Sequence, residues 1–285
     1  MLVPTPIGNL GDMTARGLAV LRAADLILCE DTRNTGRLCS AYGITTRLAA
    51  LHEHNEDARI GGVLALLREG RRVALLSDAG TPLVLDPGYR LVRAAIAAGL
   101  PVGAVPGANA AVLALVLSGL PPQPFLFLGF PPPRQAARRA AFARLREAER
   151  AGLTATLVFY EAPHRLAETL ADMADLFGAR PAAVARELTK RFEEVRRATL
   201  AELAAHYAAE AARGEITVVV GPAPDEATDL GDLDASLRAA LAGQSLKQAV
   251  AQVAAATGLP RKQVYARALA LQSRDPLSVV GTEGG

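Results

Sequence analysis

The sequence predicts an α/β protein of two α/β domains followed by a small C-terminal helical module. Short runs of aliphatic and β-branched residues end abruptly in Gly, Pro, Asp or Asn, and most are followed by stretches with helical spacing. The chain has 285 residues and 51% hydrophobic content, and a chain of this length usually folds around more than one hydrophobic core. We therefore expect two cores in the α/β part.

The first domain is expected over residues 1–117, with strands and helices in alternation. Gly99 is well placed to end one of its helices. The expected strands are Leu2–Val3, Leu26–Cys29, Val73–Ser77 and Val102–Val105, and the expected helices are Thr14–Ala23, Ala58–Arg68, Tyr89–Ala98 and Asn109–Leu117.

A proline-rich segment at 118–124 is expected to be the hinge between the domains, because three prolines in four residues prevent helix continuation. The second domain is expected over 125–223. Its expected strands are Phe125–Leu128, Thr156–Tyr160, Ala183–Arg186 and Ile216–Val220.

The C-terminal part divides into three predicted segments. Residues 224–243 are rich in acids and predict a solvated linker. Residues 244–274 predict a basic helical hairpin with helices Leu246–Ala256 and Arg261–Ser273, separated by a stop and a start at 258–260. Residues 275–285 form a tail.

Composition excludes several classes of protein. Two cysteines argue against a disulfide framework and cannot supply a multi-cysteine zinc site. The N-terminal residues lack the features of a signal peptide, and no run approaches the roughly 20 apolar residues of a membrane-spanning helix. We expect a cytoplasmic protein without membrane contact. The net charge of +2 means that a polyanionic partner would have to meet local basic patches.

The loops that follow the strands are the expected ligand site, because ligands of open α/β sheets bind at the carboxyl ends of strands. Three of them are unusually rich in Gly and Pro: Pro4–Asp12, Ser77–Gly88 and Val105–Ala110. The second is long and stiff and carries Asp78 and Asp86, which suits a cationic ligand that bears an amine. Structural turns or tight helix packing would need similar residues. Neither a dinucleotide-binding glycine motif nor a Walker lysine motif is present.

Charged segments also follow predicted strands. Glu30–Thr35 and Leu51–Glu56 belong to the first domain, and Tyr160–Arg165 and Ala185–Glu193 belong to the second. Internal ion pairs are the alternative to a role in a cleft between the domains. His52 and His54 face the same way only if extended and have no convincing third ligand, so we expect no metal and favour the positioning of a polar substrate.

The motifs PTPIGNLGD, CEDTR, LHEHNE, LLSDAGTPLVLDPG, VPGANA, FYEAPHR, ARELTK and GEITVVVG resemble, in this order, the tetrapyrrole-methylase superfamily. The likeness spans nearly the whole chain and is strongest to its branch of ribosomal RNA small-subunit methyltransferases. The resemblance implies S-adenosylmethionine in the cleft between two α/β domains of a homodimer. It also implies methylation of the ribose 2′-hydroxyl of a cytidine in the decoding region of 16S rRNA, within the assembled 30S subunit.

The resemblance also implies which residues contact the cofactor. Thr81 stands where the superfamily usually has Asp, and Asp78 is expected to supply the missing charge. The expected cofactor-binding residues are Pro6, Asp78, Gly80, Thr81, Pro82, Val84, Asn109, Ala110, Tyr160, Ala162, Leu188, Glu215 and Ile216.

Methyl transfer from a sulfonium to a ribose hydroxyl is an in-line displacement that depends chiefly on positioning. A base or a cation could assist the weak nucleophile, and the candidates are Asp31, Glu187, Lys190 and His54. A mechanism without a discrete base is the alternative.

Two segments are basic enough to contact RNA. Residues 134–150 hold six arginines against two glutamates, and residues 244–274 hold five cations and no acid. Either could be a solubilising helix face instead. The candidate RNA-binding residues are Arg33, His52, Arg134, Arg138, Arg139, Arg165, Lys247, Arg261, Lys262 and Arg267.

Two other functions remain open at this point. One is methylation of a tetrapyrrole carbon by another enzyme of the same superfamily. The other is RNA binding on the ribosome without catalysis.

Overall fold

The structure is a computed structural model that describes residues 1–224, 230–257 and 261–272. The chain forms two compact units, residues 1–222 and residues 223–285. The first unit contains two sheets, and we call the part built on each sheet a lobe. No helix in the described parts is long and apolar enough to cross a membrane.

The sheet of the first lobe is parallel, with strand order β1-β4-β2-β3. The central strands β2 and β4 are buried on both faces and therefore form continuous aliphatic runs in the sequence. The elements are β1 (Leu2–Val3), α1 (Ala15–Ala23), β2 (Leu26–Cys29), α2 (Thr32–Ala41), β3 (Leu48–Ala50), α3 (Glu56–Arg68), β4 (Val73–Leu76) and α4 (Tyr89–Ala97).

The sheet of the second lobe is mixed, with strand order β5-β6-β9-β7-β8. β5 and β6 run parallel, and the remaining pairs are antiparallel. The elements that follow α5 (Ala110–Ser118) are β5 (Phe125–Phe127), α6 (Gln135–Arg150), β6 (Thr156–Glu161), α7 (Leu166–Phe177), β7 (Pro181–Arg186), β8 (Glu194–Thr199), α8 (Leu200–Ala209) and β9 (Ile216–Val220).

Helix α5 packs on the sheet of the second lobe, although the sequence assigned it to the first domain. Its Ala111, Ala114 and Leu115 share a core with Val158 and Val219 of that sheet. The helix is apolar almost all round, and such a helix is stable only when it is covered. The Pro-rich segment therefore follows the first helix of the second lobe instead of preceding it.

Three elements of the first unit were missed by the sequence analysis. Helix α2 and strand β3 were taken for charged or irregular loops, and β8 carries too many charges to show an apolar pattern. Conversely, the expected strand Val102–Val105 forms only an isolated bridge between Ala104 and Leu2. Its backbone still follows β1, since Val105 N donates to Leu2 O at 2.9 Å.

The second unit contains α9 (Leu230–Leu241), α10 (Leu246–Thr257) and α11 (Arg261–Gln272). The expectation of a solvated linker over 224–243 is wrong for 230–241, because Leu233 and Leu237 are buried against α10 and α11. Residues 225–229, the expected turn at 258–260, Ser273, Arg274 and the tail at 275–285 lie outside the described residues.

Candidate active site

A cavity of about 430 Å³ lies between the two lobes of the first unit, which is a volume typical of small-ligand sites. Both lobes contribute strand-end loops to its wall. Most of the expected cofactor-binding residues line it: Gly80, Thr81, Val84, Asn109, Ala110, Tyr160, Ala162, Leu188, Glu215 and Ile216. We call it the first cavity.

The loop after β4 is held rigidly at the edge of this cavity. Gly80 and Thr5 exchange two backbone hydrogen bonds of 2.9 and 3.0 Å, and the Thr81 hydroxyl donates to Ala108 O at 3.0 Å. Leu83 and Leu85 have φ of 71° and 67°, a conformation that non-glycine residues rarely adopt. Strained backbone of this kind is common where a loop is shaped for a ligand.

Gly214 is required on the opposite wall. Its φ is +82°, and a Cβ there would lie 2.2 Å from Glu187 Oε1. Glu187 occupies that space because its carboxylate accepts hydrogen bonds from Glu215 N at 3.0 Å and Lys190 Nζ at 2.9 Å. The glycine thus lets the loops after β7 and before β9 close on each other.

Asp86 brings a carboxylate without a partner into the first cavity. Burial, and then the nearby charges of Glu30 and Asp78, raise the pKa of Asp86 from 3.8 to about 6. Among the described residues, none forms a hydrogen bond or ion pair with this carboxylate. A cationic group in the cavity would offset the cost of burying the negative charge of Asp86 and would counter its repulsion by Glu30 and Asp78.

The other two carboxylates of the cavity wall are already engaged. Glu161 is buried and accepts hydrogen bonds from Arg165 Nε at 2.9 Å and the Thr169 hydroxyl at 2.6 Å. Glu215 accepts from Lys190 Nζ at 2.9 Å. Asp86 is therefore the acid of this wall that can respond to a ligand.

A second cavity of about 310 Å³ lies beside the first, against α2. Two of the expected cofactor-binding residues, Pro6 and Asp78, line it and do not line the first cavity. Pro82 is buried and lines neither. The other lining residues are Thr5, Gly8, Leu10, Asn34, Thr35, Arg37, Leu38, Ala41 and Ser77.

None of the four candidate bases or cations lines either cavity, and three of them already form ion pairs. Asp31 caps α2, and hydrogen bonds from the side chain and backbone of Arg33 lower its pKa to about 2. The hydrogen bond from Lys190 lowers the pKa of Glu187. Burial opposes the charge of Lys190, but its bonds to both glutamates outweigh this and raise its pKa. His54 is exposed and lines neither cavity.

The neighbouring histidine does not complete a metal site. His52 Nε2 lies 3.0 Å from Asn55 Nδ2, and the two histidine rings are 6.1 Å apart. Within the described parts, no three metal-ligating side chains of His, Cys, Asp or Glu come together. His52 also lies outside both cavities.

Several of the candidate RNA-binding arginines are neutralised by ion pairs. Arg138 is the clearest correction, since it is 1% exposed and its Nε donates to Asp172 at 2.8 Å. Arg139 bonds the same carboxylate at 2.9 Å. The sequence count missed this because α7, which follows later in the chain, supplies the acids. Arg33 is exposed but forms an ion pair with Asp31 at 2.9 Å, and the other exposed candidates are Arg134, Lys247, Arg261 and Lys262.

Two further candidates are tied to neighbouring acids. Within the second lobe, Arg165 Nε donates a hydrogen bond to Glu161 at 2.9 Å. In the second unit, Arg267 of α11 forms two hydrogen bonds of 2.7 and 2.8 Å with Asp234 of α9. The segment 244–274 holds no acid of its own, but α9 provides one. The basic character of this unit is thus smaller than the sequence suggested.

Sequence reasoning missed half of the wall of the first cavity. Phe130 follows β5 directly, so the strand-end rule could have found it, and Asp86 stood in a loop already singled out. Most of the others are apolar or glycine and carry no chemical signal. The missed residues are Ile7, Ala79, Leu85, Asp86, Phe130, Glu161, Pro163, Ala185, Gly214 and Thr217.

Residues 1–204 match the family of tetrapyrrole (corrin/porphyrin) methylases, and residues 227–272 match the RsmI C-terminal HTH domain. The chain therefore belongs to the tetrapyrrole methylase family. It is an S-adenosylmethionine-dependent methyltransferase, as the match and its relatives agree.

The relatives point to one branch of this family. The chain is 48% identical to ribosomal RNA small subunit methyltransferase I of Micromonospora olivasterospora, over 97% of this chain and 88% of the relative. It is 47% identical to the protein of the same name from Mesorhizobium japonicum, over 95% and 91%. A crystal structure of uroporphyrin-III-C-methyltransferase from Thermus thermophilus is similar with a TM-score of 0.52 and 26% identity, over 77% and 92%.

Proposed function

We propose that this protein methylates the RNA of the small ribosomal subunit, with S-adenosylmethionine held in the first cavity. The proposal extends to the 2′-hydroxyl of a cytidine in the decoding region and to the assembled 30S subunit as substrate. The observation that carries it is the combination of that cavity with a C-terminal unit of the type found in the named relatives.

The walls of the first cavity fit the cofactor. Small and apolar groups such as Ala110 and Ile216 allow close contact with a nucleoside, and Gly80 adds no side chain to the wall. The carboxylate of Asp86 can pair with the positive charge of the donor. The bound cofactor supplies a methyl group activated by a sulfonium. The wall residues hold it in one orientation, which is the main requirement of an in-line displacement.

Binding of RNA would rest on exposed cations. Lys247, Arg261 and Lys262 in the C-terminal unit and Arg134 at the start of α6 are exposed. Exposed cations bind phosphates and release counterions, so affinity should fall steeply with salt. We further propose a homodimer in the cytoplasm. Val112 and Val116, one turn apart on α5 and 47% and 62% exposed, support a subunit interface on that helix.

The test is to incubate the protein with labelled S-adenosylmethionine and small subunits that lack the modification, and then to map the label. We expect one labelled cytidine, with the label on its ribose. Label on a base, or at a site outside the decoding region, would correct the finer part of the proposal. Unlabelled subunits would refute the proposal as a whole.

Two further arms address the alternatives. Uroporphyrinogen as acceptor tests for a tetrapyrrole methylase, and calorimetry with the cofactor tests for a protein that binds RNA without catalysis. A variant ending at residue 222 removes the whole second unit, because α9 shares its core with α10 and α11. It should keep cofactor affinity and lose affinity for RNA. Equal RNA affinity would contradict the role assigned to this unit.

A further inference from the structure

The second cavity, against α2, has a composition and position that the cofactor does not explain. We propose that it holds the nucleotide that accepts the methyl group, an assignment that rests on the proposed function in RNA methylation.

The two cavities lie on opposite sides of one thin wall. Along this wall, Ile7 lines the first cavity whereas Pro6 and Gly8 line the second. The loop after β4 divides in the same way, with Gly80 in the first cavity and Asp78 in the second. Methyl transfer needs contact between the two occupants, so the proposal places the acceptor ribose at the edge of this wall, where it can approach the methyl group.

Glycines keep this wall thin. Gly80 contributes no side chain, and a Cβ there would already meet Ile7 Cγ2 at 3.3 Å. A Cβ on Gly8 would lie 2.3 Å from Lys190 Cγ, so the stem of Lys190 covers this glycine. The ammonium of Lys190 continues to Glu215 on the wall of the first cavity. One side chain thus spans the boundary between the two cavities.

The polar groups of the second cavity match the edge of a base. Asp78 accepts hydrogen bonds from Asn34 Nδ2 at 3.1 Å and from Asp31 N at 3.3 Å, which fixes the Asn34 amide. The amide oxygen of Asn34 has no partner among the described residues and can accept a hydrogen bond from an exocyclic amine. Single-stranded nucleotides are commonly read in this way, by hydrogen bonds to the base edge.

Cations and apolar groups complete the site. Arg37 is exposed and has no ion-pair partner in the described parts of the chain. Arg33, one turn earlier on α2, is paired with Asp31 at 2.9 Å, yet its side chain is 86% exposed. Both can contact the phosphates that flank a nucleotide. Leu10 and Leu38 give the cavity an apolar side for the face of a base. An extruded nucleotide of RNA satisfies all three features at once.

Blocking the cavity tests the assignment directly. Ala41 lines the cavity and is exposed, so Ala41→Trp adds a ring there without disturbing the core. Ser40→Trp is the matched control, because Ser40 is exposed on the same helix and lies outside the cavity. We expect Ala41→Trp to slow single-turnover methylation of small subunits about tenfold or more, with cofactor Kd within about twofold of wild type. Ser40→Trp should behave as wild type.

Removing the cation tests the phosphate contact. Arg37→Ala should weaken binding of small subunits about tenfold, the range expected for one hydrogen bond to a charged group. Arg68→Ala is the matched control, since Arg68 ends α3 and lies at the amino edge of the sheet, close to the start of β4. It removes the same charge far from the strand ends. We expect it to leave affinity unchanged.

The outcomes separate this assignment from the proposed function. Wild-type activity together with full activity of Ala41→Trp would overturn the assignment and leave the function intact. Equal losses in Ala41→Trp and Ser40→Trp would also overturn it, since they would assign the effect to the surface of α2. Failure of the wild-type protein to label small subunits would remove the acceptor and the assignment with it.

Discussion

Replacing Asp86 with asparagine should weaken cofactor binding and stabilise the fold at the same time. The carboxylate lies half-buried in the first cavity without a partner among the described residues, and its pKa is raised from 3.8 to about 6 by burial and by Glu30 and Asp78. The folded protein therefore tolerates an unfavourable charge where a cation is expected to bind. The Asp86→Asn variant removes that charge and keeps the shape of the side chain.

The magnitude follows from the two pKa values. A change from 3.8 to about 6 corresponds to about 3 kcal/mol against the charged form, and partial contact with water reduces this to about 1–3 kcal/mol. Because the pKa is higher in the folded than in the unfolded chain, protonation stabilises the fold as the pH falls from about 6 to about 4. Above pH 6 the full penalty is present. The variant should be more stable than wild type at pH 8 and no more stable at pH 4.

The substitution should affect cofactor affinity in the opposite direction to stability. Below pH 6, wild-type Asp86 is protonated and loses its attraction for the cationic donor, so wild-type affinity should be about tenfold weaker at pH 5 than at pH 8. Asp86→Asn should lack this part of the pH dependence. S-adenosylhomocysteine lacks the sulfonium charge and should lose less affinity than S-adenosylmethionine if the carboxylate faces the sulfur. Equal losses would assign the contact to the amine that both share.

Calorimetric titrations from pH 5 to pH 8 and thermal unfolding over the same range supply both readouts. Glu147→Gln is the control, since Glu147 is exposed on α6 and lies outside the cavity. If Asp86→Asn binds S-adenosylmethionine as tightly as wild type at pH 8, Asp86 does not contact the cationic donor.

Three other substitutions test contacts described above. Lys190→Met should lower stability by about 1–2 kcal/mol near neutral pH, and the loss should vanish in acid as Glu187 becomes protonated, which a series of unfolding curves would reveal. Gly214→Ala should reduce cofactor affinity about tenfold, because the new Cβ displaces Glu187. Gly43→Ala is the control, since Gly43 has a similar positive φ but open space around it and should keep wild-type affinity. Calorimetric titration of both variants with the cofactor measures the difference. Arg138→Met should cost about 2–3 kcal/mol of stability, because it removes charged hydrogen bonds to buried Asp172 while Arg139 stays bound to that acid. It should not change RNA affinity in the folded fraction; an effect on RNA affinity alone would contradict the burial of Arg138.

The sequence predicted the fold best where strands are buried and worst where they are charged. The strands of the first sheet, such as Leu26–Cys29 and Val73–Leu76, are apolar on both faces and end at clear breakers. Strand β8 contains Glu194, Arg196 and Arg197 at an edge of the second sheet, so its pattern resembles a loop. Helix α9 was hidden by the acidic residues in and before it, although Leu233, Leu237 and Ala240 are buried at helical spacing.

The candidate site was predictable by position and less so by role. Loops at strand ends could be found from Gly, Pro and Asp, and the structure brings many of them together around one cavity. Roles depend on partners that are distant in sequence, such as the 34 residues that separate Arg138 from Asp172. Asp31 looked like a base in the sequence, yet hydrogen bonds from its neighbour Arg33 lower its pKa to about 2. Composition cannot show such pairings.

The strained loops carry a consequence for engineering. Leu85 and Thr189 adopt φ of 67° and 66° next to or within the wall of the first cavity. Each left-handed residue costs about 1 kcal/mol or more, which glycine at the same position would recover. A search for heat-resistant variants would therefore be drawn to these positions first. Such variants would gain tolerance to heat by giving up the fixed loop shapes on which turnover depends.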